Sequence, residues 1–310
     1  MTELPERDLP PGRHRVLKEH LMSEIGNEKC AATARKVWRR PAFMGPLLAG
    51  AVAASMVIAL AVSGQSSGDG DGDGADRPPT EAAALLEDIA LAAEHSEQLG
   101  DIRDDQFVYI ESRVGYVRYV MGEKRPHFDP VHKREVWLSV DGTRQGLLRE
   151  DNDNGESPLD AQPAGIERNT SYRHLQTLPT DPDGMLKWLH RVSENGKSED
   201  QSTFTLVGDL LGESLMPPDV SAALYRAAAK IPGVEVVEDT VDAAGRRGVG
   251  VARESDGVRE ELIFDKTTKA YLGERGVAVR DTVAGLRKGE VAGARAIMKR
   301  VVVDRVRQTS

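Results

Sequence analysis

Apolar positions fall into three patterns along the chain: one unbroken run, several stripes at helical spacing, and a series of short stretches in which every second residue is apolar. The unbroken run covers residues 42–62, AFMGPLLAGAVAASMVIALAV, without a single charge. At about 1.5 Å per residue, a helix of this length reaches roughly 30 Å, the hydrocarbon thickness of a bilayer. Soluble helices that long keep a polar stripe, so the run predicts a transmembrane helix over 42–63. Pro46 lies in its first turns, where a missing amide costs least.

Downstream, Thr80 is placed to cap a helix over 80–99, with Glu81 in the first turn and Leu85, Ile89 and Ala92 or Ala93 on one face. Residues 106–120, QFVYIESRVGYVRYV, switch to alternation. Val108, Ile110, Val114, Tyr116 and Val120 share one strand face, interrupted by Ser112 and Arg118. A second strand is predicted over 135–140, stopped by Asp141-Gly142, with 146–149 as its hairpin partner. Residues 151–171 are polar and carry Gly and Pro, which predicts a long surface loop. Helical spacing returns over 183–192, 203–216 and 219–231, the last opened by Pro217-Pro218 and stopped by Pro232-Gly233. Strands follow at 234–239, 248–253, 259–265, 270–279 and 295–306. Strands, then helices, then strands joined by short turns predict an α+β fold: a curved, half-barrel-like antiparallel sheet with helices packed on one side. No internal repeat is visible.

Composition fits this picture. With 310 residues and 39% hydrophobic content the chain is long enough to bury a core, although 5% aromatics and a mean hydropathy of −0.42 keep that core modest. Charge divides at the apolar run. Residues 1–41 hold nine Lys/Arg and six Asp/Glu, leaving 32 basic and 44 acidic residues beyond, a net of −12. An acidic body repels phosphate backbones, so no nucleic acid is expected as a partner. Lys29, Arg35, Lys36, Arg39 and Arg40 precede the run, with Trp38, Arg39 and Arg40 placed at the membrane interface, and the next basic residue after it is Arg77. The positive-inside rule puts 1–41 in the cytoplasm and 80–310 outside, joined to the span by the Gly/Ser/Asp-rich flexible linker 64–79. A cleaved signal peptide is the competing reading, since Ala61-Val62-Ser63 suits cleavage, but such peptides carry about 7–15 apolar residues behind a short basic start. The expected location is therefore the cell membrane, as a single-pass protein.

Candidate chemistry is sparse. No nucleophile elbow, zinc-protease helix or phosphate-binding loop occurs, and neither a cofactor, a metal nor a catalytic residue is expected. Asp69, Asp71, Asp73 and Gly74 imitate half of a calcium loop, yet its twelfth position is Thr80 rather than Glu. His127, Asp129 and His132 offer three metal-ligand types within six residues, on a loop that leaves their directions open. Glu260-Glu261 and Asp104-Asp105 read as solvated charge, Trp137 and Trp188 as core, and Asn169-Thr-Ser171 as a glycosylation triplet. Within the arm, residues 12–27 place Val16, Leu17, Leu21 and Ile25 on one apolar stripe. A lone helix of that length is marginal in water, so it is expected to dock on the bilayer or on a cytoplasmic partner.

Several segments carry a resemblance: LPERDLPPGRHRVLKEHLMSEI, DDQFVYIESRV, REVWLSVDGTRQGLLRE, LPTDPDGMLKWL and ELIFDKTTKAYLGER. Through them the chain resembles a family of actinobacterial single-pass membrane proteins with no established activity, commonly encoded beside extracytoplasmic-function sigma factors. LIFDKTTKAYLGER also resembles strand pairs of LolA and MucB/RseB-type domains, half-open barrels that bind lipid or regulate anti-sigma factors. Together with the anchor, the basic amphipathic arm and the missing catalytic constellation, this leads to the expectation of a non-enzymatic envelope protein with an outer domain for a hydrophobic or protein ligand and an inner arm that contacts a sigma factor or similar regulator. The alternatives are a LolA-like lipid or lipoprotein carrier, which requires an apolar cleft between helices and sheet, and an enzyme whose site assembles from distant residues. Zinc-type anti-sigma factors carry a His and two cysteines in their cytoplasmic domain; here Cys30 stands alone.

Overall fold

The longest strands of the domain are also the ones at its centre. The computed structural model describes residues 80–310 apart from 97–99, 120–124, 153–154, 163–164 and 194–197. The span, the linker, the calcium-like stretch and the arm lie outside these residues. Among the described residues no helix is long and apolar enough to cross a membrane.

Ten strands form one antiparallel sheet. They are β1 (Phe107–Arg118), β2 (His127–Phe128), β3 (His132–Ser139), β4 (Gly146–Glu150), β5 (Glu156–Leu159), β6 (Val234–Val241), β7 (Arg247–Ser255), β8 (Val258–Phe264), β9 (Tyr271–Ala278) and β10 (Val291–Val303). The order is β5-β4-β3-β1-β10-β9-β8-β7-β6, with β2 paired to the end of β1, so the sheet is open with β5 and β6 at its edges. β1 and β10 join the first and last thirds of the domain, in register from Phe107↔Val303 to Tyr116↔Gly293 with a bulge at Glu111/Ser112. Between β5 and β6 the chain leaves the sheet as α1's companions: α1 (Glu81–Glu94) precedes β1, and α2 (Tyr172–Leu175), α3 (Pro182–Val192), α4 (Glu199–Glu213) and α5 (Pro218–Ala228) follow β5.

The helices gather on one face of the sheet. Val249 and Val251 of β7 and Leu262 and Phe264 of β8 point the same way and pack with Leu86, Ile89, Phe204, Val207, Leu224 and Tyr225 of the helices. Toward the other end, Val108 and Ile110 of β1 meet Tyr172 of α2. Successive strand residues point to opposite faces, so Phe107 and Tyr109 lie on the reverse, beside Trp137, Leu147 and Val303.

Most predicted elements are present with shifted ends. Thr80 caps α1, its Oγ1 accepting from Ala83 N at 3.1 Å, but the helix ends at Glu94; Ala82, Leu86, Ile89 and Ala90 are buried, and the expected Leu85 and Ala93 pack half-buried against the same core. α4 starts earlier than predicted because Ser198 caps it and Glu199 and Asp200 fill its first turn. The predicted loop over 151–171 contains a short edge strand, β5, whose sequence ESPL carries no alternation signal. Trp137 and Trp188 are core, 0% and 5% exposed.

Candidate functional site

Helix α4 lies over the middle of the sheet, and it is there that charge is buried. The helix carries Gly208 and Gly212 one turn apart on its sheet-facing side. A Cβ on Gly208 would come within 2.8 Å of Glu274 Oε2, and one on Gly212 would overlap Arg295 Nη1 and lie 2.9 Å from its Cζ. The two glycines cost helix propensity and in return let charged side chains from β9 and β10 lie against the helix backbone.

Those side chains form a chain of ion pairs. Arg295 of β10 reaches Glu213 Oε1 through Nη2 at 2.8 Å and approaches Glu274 Oε1 at 3.8 Å. Arg134 of β3 donates to the other Glu213 oxygen at 3.1 Å, and its Nε lies 3.7 Å from Glu150. Arg300 donates to the Leu211 carbonyl at the C-terminal turn of α4. Burial by itself would pull Arg295 down; the carboxylates of Glu213 and Glu274 outweigh it and hold the guanidinium well above its ordinary range. Tyr271, packed beside them, is pushed up by burial and by Glu274, with Arg295 and Arg300 pulling the other way.

The reverse face carries a second polar centre. Tyr109 Oη lies 2.8 Å from Glu135 Oε1 and 2.9 Å from Glu111 Oε2, so one phenolic proton sits between two carboxylates. Lys133 Nζ donates to Glu135 at 2.9 Å and Arg149 Nε at 2.8 Å, and the Arg149 guanidinium also stacks over Trp137 at 5.1 Å. Burial alone would raise Glu135, but the bonds from Lys133, Tyr109 and Arg149 lower it below the usual carboxylate value. Burial, then the acceptors Glu135 and Glu111, push Tyr109 far up. Neither group is therefore poised to exchange a proton near neutral pH.

The candidates read from the sequence land differently. Val16, Leu17, Leu21 and Ile25, and Trp38, Arg39 and Arg40, lie outside the described residues. Asp129 pairs with Arg118 at 3.0 Å, while His132 Nδ1 faces the Pro130 carbonyl at 3.0 Å and its Nε2 faces Asn152 at 3.1 Å. Among the described residues no three His, Cys, Asp or Glu side chains converge as metal ligands. The Asn169 side chain is 4% exposed; it donates to Gln162 O at 3.0 Å and accepts from Ser171 N at 2.7 Å, so its amide closes a loop instead of facing solvent. Glu261 is not solvated: it is 0% exposed, held by Arg259 at 2.7 Å, Arg275 at 2.9 Å and Thr240.

No protein-family model and no curated protein matches the chain. Among solved structures it is similar to one in the Pseudomonas aeruginosa MucA/MucB complex, with 13% identity, 72% of this chain and 57% of that chain covered, and a TM-score of 0.27. It is also similar to a LolA superfamily protein from Nitrosomonas europaea, with 8% identity, coverage of 73% and 94%, and a TM-score of 0.19. At these scores neither superposition carries an argument.

Proposed function

We propose that the chain is a non-enzymatic, membrane-anchored envelope protein. Its outer domain, 80–310, binds a protein or hydrophobic ligand, and its inner arm contacts a sigma factor or similar cytoplasmic regulator through residues 12–27. One observation carries the reading: a bilayer-length uncharged run separates a basic arm with an apolar stripe from a large acidic remainder. The sigma-factor half rests on the sequence resemblance. The non-enzymatic half rests on the sequence, in which no catalytic motif is found. A lipid-carrier role needs room between helices and sheet, and the centre of that space holds Arg134, Arg295, Glu213 and Glu274.

The test is a pairwise binding assay between the full chain in detergent and an extracytoplasmic-function sigma factor of the kind encoded beside members of the resembled family. Binding that is lost on Leu17→Glu or Leu21→Glu supports the reading. Absence of binding with the chain intact in membranes removes the regulatory half.

A further inference from the structure

Buried donors lack acceptors at one place, beneath the C-terminal turn of α4. Arg295 and Arg300 flank Ile297 along β10, and Tyr271 of β9 packs on the cluster that holds Ile297. Arg295 Nε and Nη1, Arg300 Nε and Tyr271 Oη are shut off from solvent, and none of them has a hydrogen-bond partner. Among the described residues these are most of the buried side-chain polar atoms in that state; the others, on Ser171, His190 and Arg275, belong to separate places. An unmade donor in the interior costs free energy, so such a concentration calls for an acceptor.

The chain itself supplies little. Arg295 has Glu213 at 2.8 Å and Glu274 at 3.8 Å, and Arg134 draws on Glu213 as well. Arg300 takes part in no ion pair among the described residues, and its acceptor is the Leu211 carbonyl. Burial therefore pulls Arg300 below the ordinary guanidinium range, whereas Arg295 is held above it by its carboxylates. The place is also reachable. Arg295 is innermost, at 4% exposed, while Tyr271 and Arg300 are half-buried and keep an edge on solvent.

We propose that Arg295, Arg300 and Tyr271 form a binding site for a phosphate-class oxyanion, seated between the last turn of α4 and strands β9 and β10. Guanidiniums and a phenol all donate toward such a ligand, and donors on three side chains suit an anion with several oxygens better than a halide. Its charge supplies Arg300 with the counter-ion that no carboxylate of the chain provides. The site goes beyond the proposed function, and neither the anchor nor the arm enters into it. A free ion and a lipid headgroup both carry this chemistry, and the test separates them.

Thermal unfolding of the detergent-solubilised full chain is followed by circular dichroism in sodium phosphate or dihexanoylphosphatidic acid, against sodium chloride of equal ionic strength. Phosphate in the low millimolar range should raise the melting temperature saturably, by about 2 °C or more. Tyr271→Phe keeps the ring on Phe264 at 5.6 Å and removes only the hydroxyl. It should melt within about 1 °C of wild type in chloride, because that hydroxyl has no partner to lose, and yet forfeit at least half of the phosphate shift. Arg300→Met should forfeit it too, and Arg113→Met, at an exposed arginine of β1, should keep it. A shift reached at about tenfold lower concentration of the lipid supports the site and assigns the phosphate to a headgroup; an equal or stronger response to the inorganic ion supports it and assigns a free anion. No saturable shift with either probe, or an undiminished shift in Tyr271→Phe, overturns the site and leaves its donors to buried water. Such a failure would not bear on the sigma-factor assay, which reads the arm.

Discussion

Replacing a helix-interior glycine with alanine ordinarily stabilises a protein, by about 1 kcal/mol from propensity. At Gly212 the structure predicts the opposite sign. The new methyl would overlap Arg295 Nη1 and sit 2.9 Å from its Cζ, and the Arg295 side chain, 5% exposed, has no solvent to retreat into. Its guanidinium must leave Glu213, at 2.8 Å, or α4 must lift from the sheet. Breaking a buried pair costs about 3–5 kcal/mol, so the net expectation is a loss of about 2–4 kcal/mol. Urea unfolding followed by circular dichroism measures it, with an unchanged slope as the check that the folded state is otherwise the same. The control is Arg295→Met: with the guanidinium gone, Gly212→Ala should cost less than in the wild-type chain, giving a coupling of at least about 1 kcal/mol. If Gly212→Ala stabilises the wild-type chain, Arg295 does not lie on the helix backbone and the account of the buried network is wrong.

Other consequences follow from the reverse face. Tyr109 has a raised folded pKa, so its contribution is present below the ordinary phenol value and is lost as pH rises beyond about 10; Tyr109→Phe should flatten the alkaline fall of the melting temperature. Glu135 is lowered, so its contribution is present above the ordinary carboxylate value and disappears as pH falls through the folded one. Glu135→Gln should therefore lie below wild type at neutral pH and converge with it in acid; parallel curves would contradict the assignment. Trp137→Ala should cost about 3–5 kcal/mol for a fully buried aromatic. Trp137→Phe, which loses chiefly the bond to Gln308, should cost about 1 kcal/mol in the same unfolding assay.

What the sequence made legible follows from how local each signal is. Strands with period-two patterns and helices with caps are written within a dozen residues, which is why β1, β3, α3 and α5 are readable with only their ends displaced. On α1 the alanines dilute the stripe, so the buried face is wider than the expected one: Ile89, Leu85 and Ala93 reach the core as expected, and Ala82, Leu86 and Ala90 join them. β5 was hidden by its Pro and polar residues, which an edge strand tolerates. The ion network is a different matter, since Arg134, Glu213 and Arg295 come together only through the strand order. The one local clue was a pair of glycines four apart inside an otherwise strong helix, a placement that costs stability unless something must come close. Glu261 was misread for the same reason: its clamps, Thr240 and Arg275, belong to other strands. Nothing in Glu260-Glu261 itself separates the buried carboxylate from its neighbour.

The claim on which the proposed role depends is that the chain crosses the membrane once, between its basic arm and the outer domain. Cys30 is the only cysteine, so its position relative to the bilayer is read directly by a membrane-impermeant maleimide on intact spheroplasts. Cys30 should stay unlabelled until the cells are lysed, whereas a Cys30→Ser chain carrying Ser66→Cys in the linker should label in intact spheroplasts. Labelling of Cys30 in unbroken spheroplasts, or recovery of the whole polypeptide in the aqueous fraction without detergent, would contradict the account.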